Sequence, residues 1–279
     1  MMDFTLPGSA QAVAALAAGL LPGPDPWKAL ARAGLLDATA LTLLDITTLL
    51  TEIGKRAPSL KAHATLMTGA LPLARWGHSH LIANRIVTNP GHDHGVALVS
   101  PSAAGVTLTR TPSSSGEPEY TLRMDHAPVE GMLGGADCVR DLYQLATAGA
   151  CALADGAVAG ALDLTREHVA TRRQFGRPLA AFQAVSQQIA DVYIASRTMH
   201  LAVLAACWKL DAGLDASADV RVAGYWCAAR APAAVRICHH LHGGLGMDAT
   251  YPLHRFSSLV ADLVRYLGGT EYRLACLPT

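Results

Sequence analysis

Three long runs dense in alanine and leucine, Leu142 to Thr171, Ala180 to Leu210 and Ala218 to Leu241, dominate the second half of this chain. Runs of that length at helical spacing cannot be strands. Alanine gives up no side-chain entropy in a helix and lets neighbouring helices approach closely. With Ser217 placed to cap the third run, and the tail supplying a fourth helix, the pattern predicts a four-helix bundle. Apolar residues make up 51% of the 279, ample to bury a core of this size.

The rest of the chain divides by periodicity. Residues 1–80 read as a helical domain: Trp27 to Leu35 is amphipathic with a glycine stop at Gly34, Leu41 to Lys55 is a second helix, and Pro58 to Trp76 suggests a third. Between 81 and 135 the character changes to short β-type runs at Val96–Val99, Val106–Thr109 and Tyr120–Arg123, broken by Pro101, Gly105 and Ser113-Ser114-Ser115-Gly116. That stretch has room for three or four strands of about 5–6 residues. Residues 136–279 form the bundle. The fold class expected is mainly α with a reduced central β segment.

Several functions are disfavoured at once. Lys+Arg and Asp+Glu both count 22, so no charge excess points to nucleic acid or an acidic membrane surface. Ala10 to Leu21 is apolar but too short to span a bilayer and is cut by Pro22-Gly23-Pro24; a cytoplasmic location is expected. The six cysteines lack paired spacing and read as buried small hydrophobes. Cys238, His239, His240, His242 and His254 are crowded, yet zinc sites use spaced pairs on a turn and this cluster lies on a helix, so no metal is expected.

The chemistry-bearing residues come as an ordered set: Arg172-Arg173-Gln174-Phe175-Gly176-Arg177-Pro178-Leu179 running into Phe182-Gln183, then His239-His240-Leu241-His242-Gly243-Gly244-Leu245-Gly246, then Tyr251-Pro252-Leu253-His254-Arg255, then Leu267-Gly268-Gly269-Thr270. An Arg at a helix end, before a turn forced by Phe-Gly and Pro, can clamp a phosphate pair. Glycines 243 and 244 let backbone amides approach an anionic or planar group. Taken singly, the first is a solvated helix end and the second a helix stop. Their joint order and spacing says more.

That set resembles the carboxyl-terminal helical domain of the acyl-CoA dehydrogenase family, flavoenzymes that desaturate CoA thioesters between the α and β carbons. The resemblance covers residues 140–275 strongly and the earlier part weakly. It implies FAD as cofactor, its adenosine-diphosphate half held at a subunit interface by Arg172, Gln174, Phe175, Phe182, Gln183, His240, Gly243 and Gly244. His240 stands where the family often has Gln. The flavin ring, by contrast, is held in the family by a Thr-Glu-Pro-Gly-type segment of the β domain, and neither that segment nor the aromatic-polar strand after it occurs here.

The family's base is equally missing. Desaturation needs a carboxylate to remove the α proton while the β hydrogen leaves as hydride to the flavin. Most members place a Glu immediately before the Gly-Thr of the tail, where this chain has Gly268. A minority place it early on the first bundle helix, which by counting is Ala146 here. Glu271, Asp141 and Asp137 are the acids nearest those positions. The chain is therefore expected to carry no catalytic residue of its own. It resembles the shorter, catalytically incomplete subunit of actinobacterial steroid-degrading heteromers in the family. The implied partner is a full-length acyl-CoA dehydrogenase homologue, in an α2β2 assembly that binds the acyl-CoA mainly through that partner. Two other readings remain open: a non-catalytic scaffold that pairs with a homologue, and a homomeric flavoenzyme with a relocated base.

Overall fold

The computed structural model describes residues 5–56, 62–76, 86–89, 95–116 and 118–277. An amino-terminal layer consists of α1 (Gly8–Leu20), α2 (Pro26–Arg32) and α3 (Leu43–Gly54), then a π-type helical segment (His63–Ala70) running into α4 (Leu71–Arg75). Asp25 caps α2 by accepting from the Lys28 N–H, with Pro26 at the first helical position. Thr42 and Asp45 form a capping box on α3. The expected helix from Pro58 begins outside the described residues, and its later part is the π segment and α4.

Strands β1 (Ile86–Asn89), β2 (Gly95–Leu98), β3 (Val106–Thr111), β4 (Glu119–Met124) and β5 (Gly131–Leu133) follow. β2 sits between β1 and β5 in one antiparallel sheet, while β3 and β4 pair as a separate hairpin. The three sequence runs are β2, β3 and β4; β1 and β5 complete the sheet. Val96, Leu98 and Leu133 pack with Leu73, Cys138 and Leu142 in a small apolar cluster apart from the main core.

The bundle is α5 (Ala136–Thr171), α6 (Gln183–Asp211), α7 (Ser217–His242) and α8 (Leu253–Tyr266), with a short α9 (Gly269–Ala275) closing the tail. A small hairpin, β6 (Arg173–Gln174) and β7 (Arg177–Pro178), joins α5 to α6. α5 begins earlier than the sequence suggested. α6 begins at Gln183, because Leu179–Ala181 form a tight 3₁₀ turn. Ser217 is not a cap either. Asp215 accepts from the Ser217 N–H at 3.0 Å, and the Ser217 hydroxyl receives Gln144 Nε2 at 2.9 Å. Asp211 at the end of α6 takes the N–H groups of Leu43 and Leu44 at 2.8 and 3.3 Å, satisfying orphan donors of α3 across the molecule.

α5 is the axis of the protein. By length and composition both α5 and α6 could cross a membrane, but α5 is mostly buried inside the protein. Its glycines permit contacts that side chains would forbid. A Cβ on Gly156 would lie 2.0 Å from the Thr51 carbonyl oxygen of α3, one on Gly160 would lie 2.1 Å from the Lys55 carbonyl, and one on Gly54 would lie 2.3 Å from the Leu153 carbonyl. Backbone thus meets backbone, and Thr51 Oγ1 donates to the Ala152 carbonyl at 3.2 Å. Five cysteines, Cys138, Cys151, Cys207, Cys227 and Cys238, are buried with free thiols. Burial pushes the Cys207 thiol up to about 12, so it packs as a neutral hydrophobe.

Two long-range tethers fix the tail and the β3–β4 hairpin. Asp262 on α8 accepts from the Ser114 and Ser115 N–H groups, both at 2.8 Å, and Arg265 reaches Glu119 at 2.8 Å. Burial pushes the Asp262 carboxyl up, but the hydrogen bonds from Ser115, Ser114 and Arg265 outweigh it and hold it below its ordinary value. The other tether answers a local fault. Pro232 lies inside α7 and has no N–H, which leaves the Ala228 carbonyl without its helical donor. The Thr270 hydroxyl of α9 donates to that carbonyl at 3.1 Å. Thr270→Val should therefore lower unfolding free energy by about 1–2 kcal/mol, the range for stranding a buried acceptor, with Thr270→Ser close to the parent in chemical denaturation. Equal stability of the Val variant and the parent would contradict this role.

Candidate functional site

The carboxyl ends of α5 and α7 converge on a cleft of about 680 Å³. α5 contributes His168, Thr171 and Arg172, the hairpin contributes Gln174, and the end of α7 contributes His240, Gly243 and Gly244. Five of the eight residues singled out from sequence thus line one space. Arg172 is where α5 stops: its N–H still bonds the His168 carbonyl at 2.8 Å, but its ψ of 123° turns the chain away into the hairpin. Its guanidinium makes no hydrogen bond or ion pair with the described residues. α7 stops at Gly243, whose φ of +58° is the left-handed conformation that glycine adopts freely. A Cβ on Gly243 or Gly244 would meet nothing within 4 Å. The backbone there faces open space that a ligand can approach.

Phe175, Phe182 and Gln183 stand apart from this cleft. Phe175 and Gly176 occupy the centre of the β6–β7 turn with φ of +51° and +80°, the pattern of a type I′ hairpin. That conformation is costly for a bulky residue, and the ring is 91% exposed. It meets Phe182 edge-on at 6.2 Å, and the Arg177 guanidinium lies 4.0 Å over the Phe182 ring. Gln183 is exposed at the start of α6. These three form a separate knob beside the cleft, an exposed aromatic surface on a strained turn.

Behind the cleft runs a chain of imidazoles. His242 Nδ1 donates to the Cys238 carbonyl at 2.8 Å, which leaves Nε2 to accept the Tyr251 hydroxyl at 3.1 Å. His239 bonds the Gly246 carbonyl and Ser257, and His254 Nδ1 donates to the Tyr251 carbonyl. The crowded histidines therefore order the turn after α7. Burial holds His242 below the ordinary imidazole range, with His168 and His239 adding to it against the opposing Cys238 bond. Sequence reasoning missed His168. Its signal was there: it lies four residues before Arg172, hence on the same helix face.

The donor set suits the adenosine-diphosphate half of a flavin dinucleotide. An unpaired guanidinium, side-chain donors from Gln174 and His240, and a bare Gly-Gly backbone surround a space with no carboxylate among its described lining residues. No group of three or more His, Cys, Asp or Glu positioned for a metal occurs among the described residues.

The two family positions for a base lie elsewhere. Gly268 has φ of +85°, and a Cβ there would come 2.7 Å from the Tyr272 ring. Ala146 presents its carbonyl to His63 Nε2 at 2.8 Å. Of the neighbouring acids, Asp141 is held by Arg75 at 2.8 Å and Trp76 Nε1 at 3.1 Å, Asp137 pairs with Arg140, and Glu271 is exposed in the first turn of α9.

Comparison with known proteins places the chain among relatives. Residues 135–273 match the family model for the acyl-CoA dehydrogenase, C-terminal domain. The chain is 37% identical to acyl-CoA dehydrogenase FadE28 of Mycobacterium tuberculosis, across 99% of this chain and 98% of that one. The alignment runs to 338 positions, longer than this chain, so that relative carries segments absent here. In fold it is similar to the ChsE4-ChsE5 complex from Mycobacterium tuberculosis, with a TM-score of 0.88 at 23% identity over 98% of this chain and 97% of that chain. It is also similar to the Tcur3481-Tcur3483 steroid ACAD, with a TM-score of 0.85 at 24% identity over 96% of each.

Removing the one unpaired guanidinium of the cleft should be felt by any dinucleotide bound there. Arg172→Ala should weaken FAD by roughly ten- to a hundredfold, the range for losing a charge-assisted phosphate contact, and leave the thermal transition unchanged. Lys at the same position should recover only part, since the two-pronged fork is lost. Equilibrium flavin fluorescence measures it; undiminished affinity in the Ala variant would remove Arg172 from the site.

Proposed function

We propose, for a chain that belongs to the acyl-CoA dehydrogenase family, that it is one of two unlike subunits sharing each flavin site and that it completes the adenosine-diphosphate side of that site without supplying the base. The family is FAD-dependent and acts on the CH–CH bond of CoA thioesters. When bound, FAD supplies the hydride acceptor; this chain's part is to fix the dinucleotide through Arg172, Gln174, His240 and the Gly243-Gly244 backbone. The substrate proposed is a CoA thioester with a bulky steroid side chain or ring fragment. A steroid enzyme among the fold relatives supports that acyl class, and two-component complexes among them support unlike subunits in an α2β2 assembly.

The observation that carries this reading is the closed base position in the tail, at Gly268. A carboxylate side chain at residue 268 would need a left-handed backbone and would collide with Tyr272. Tyr272 is itself placed by the tail, where Arg273 is buried, donates to the Leu267 carbonyl and reaches the Tyr143 hydroxyl at 2.9 Å. Two features favour a partner. α6 leaves Tyr193, Ile194 and Leu201 exposed along a bundle helix, and Phe175 is held out on its strained turn. The full-length homologue would cover these surfaces and bring the flavin-ring segment and the carboxylate.

Glu271 gives the sharpest test, being the acid nearest the family position in the tail. Glu271→Gln removes the charge and keeps the shape. In the assembled protein this variant should reduce its flavin with thioester within a few-fold of the parent rate. A loss of the ~10²–10⁴-fold typical of a general base, with flavin content unchanged, would put the base in this subunit and defeat the proposal.

A further inference from the structure

His168 occupies a position that nothing in the reading above uses. Its ring stacks on His242 with centroids 4.3 Å apart and planes 19° from parallel, and it lines the cleft one helical turn before Arg172. Its partner in the stack is locked. His242 gives its one proton to the Cys238 carbonyl and receives the Tyr251 hydroxyl, so both its nitrogens are committed. His168 is the opposite case: its ring nitrogens make no hydrogen bond with the described residues. The stack fixes the plane of the ring and leaves its edge free.

The charged and titratable groups around it are all basic or neutral on the cleft side. Arg172 lies on the same helix, His242 and His240 come from α7, and His239 stands behind His242. Tyr251 reaches the stack through His242, and Glu167, next to His168 on α5, acts on Tyr251. Burial, and then the Arg172 charge, hold His168 below the ordinary imidazole range, so near neutral pH the ring carries one proton. A pyrophosphate beside Arg172 reverses both conditions. It offsets the guanidinium charge, and it offers anionic oxygens to a ring edge that lacks acceptors.

We propose that His168 is a further ligand of the dinucleotide's phosphates, neutral in the chain by itself and protonated when phosphate oxygens lie beside it, so that cofactor binding takes one proton from solution. This rests on the dinucleotide reading of the cleft and adds a regulation to it. The sign follows from linkage. Binding raises the imidazole's affinity for its proton, so the proton raises the affinity for the dinucleotide equally. Affinity is highest at mildly acidic pH, falls as pH rises through the value of the bound form, and levels off below the value of the free form, where both states are protonated. The flavin pyrophosphate does not titrate in this range, which makes FAD itself the clean probe.

The test is calorimetric titration of FAD into the flavin-stripped, assembled protein in two buffers of different ionisation enthalpy, repeated between mildly acidic and mildly alkaline pH. The parent should take up between roughly a third of a proton and one proton per FAD near neutrality, with Kd rising roughly two- to tenfold per pH unit there. His168→Phe keeps a flat ring against His242 but holds no proton; its uptake should vanish and its Kd should lose the pH dependence. His168→Gln, which keeps a hydrogen-bond donor, should lose the uptake as well. FAD binding by the parent without proton uptake, or uptake that persists in both variants, overturns the role of His168 and leaves the cleft reading in place. Failure of the assembled parent to bind FAD at all overturns both.

Discussion

The protein depends on one helix having almost nothing on its surface where it crosses its neighbours. Gly156 and Gly160 of α5 face Thr51 and Lys55 of α3 at separations that only glycine permits, and Gly54 answers from the other side. Gly149 stands under Met67 and His63 of the π segment in the same way. A methyl group would push two backbones apart at Gly54, Gly156 or Gly160 and displace the Met67 and His63 side chains at Gly149, an overpacking of about 1–3 kcal/mol or more. The close crossing packs the middle of α5, a helix of 36 residues, directly on α3. That length lets one helix carry Asp141 against Arg75 at its start and Arg172 at its end.

The two ends of the bundle have opposite characters as a result. At one end α5 and α7 finish together, tied by the His168–His242 stack, and their last residues open a cleft of donors with no acid in it. At the other end the tail closes on itself. Pro232 frees a carbonyl, Thr270 satisfies it, the left-handed Gly268 turns the chain, and the Tyr272 ring lies where a side chain on Gly268 would begin. A Gly-Gly-Thr in this tail is therefore a structural joint. Thr270, next to the Gly268-Gly269 turn, completes the hydrogen bonding of α7.

Much of this was legible in the sequence, and the gaps have physical causes. The bundle helices could be read because long periodic runs leave no alternative, and the ordered Arg, Gly-Gly and tail motifs pointed to the cleft. Helix starts were less legible, since neighbours took both ends of the expected cap: Asp215 accepts from the N–H of Ser217 itself, and the Ser217 hydroxyl is turned to Gln144. The β segment was readable as strands but not as a sheet, because β2 pairs with β5 across the intervening hairpin and the hairpin is anchored by Asp262, 148 residues from Ser114. Phe175, Phe182 and Gln183 were read from the motif as cofactor-binding residues at a subunit interface, and the two-residue turn sets them on a knob beside the cleft. His168 escaped notice because its meaning lies in a ring 74 residues away.

The central claim is that this chain holds half a flavin site and needs an unlike homologue for the other half. The most direct measurement is the flavin content of the purified chain by itself against that of the chain co-assembled with a full-length homologue carrying the Glu and the flavin-ring segment. The account predicts well under one FAD per isolated chain, with full occupancy and thioester-driven bleaching of the flavin appearing only in the mixed assembly. A homogeneous isolated chain that binds one FAD and bleaches it with an acyl-CoA would contradict it.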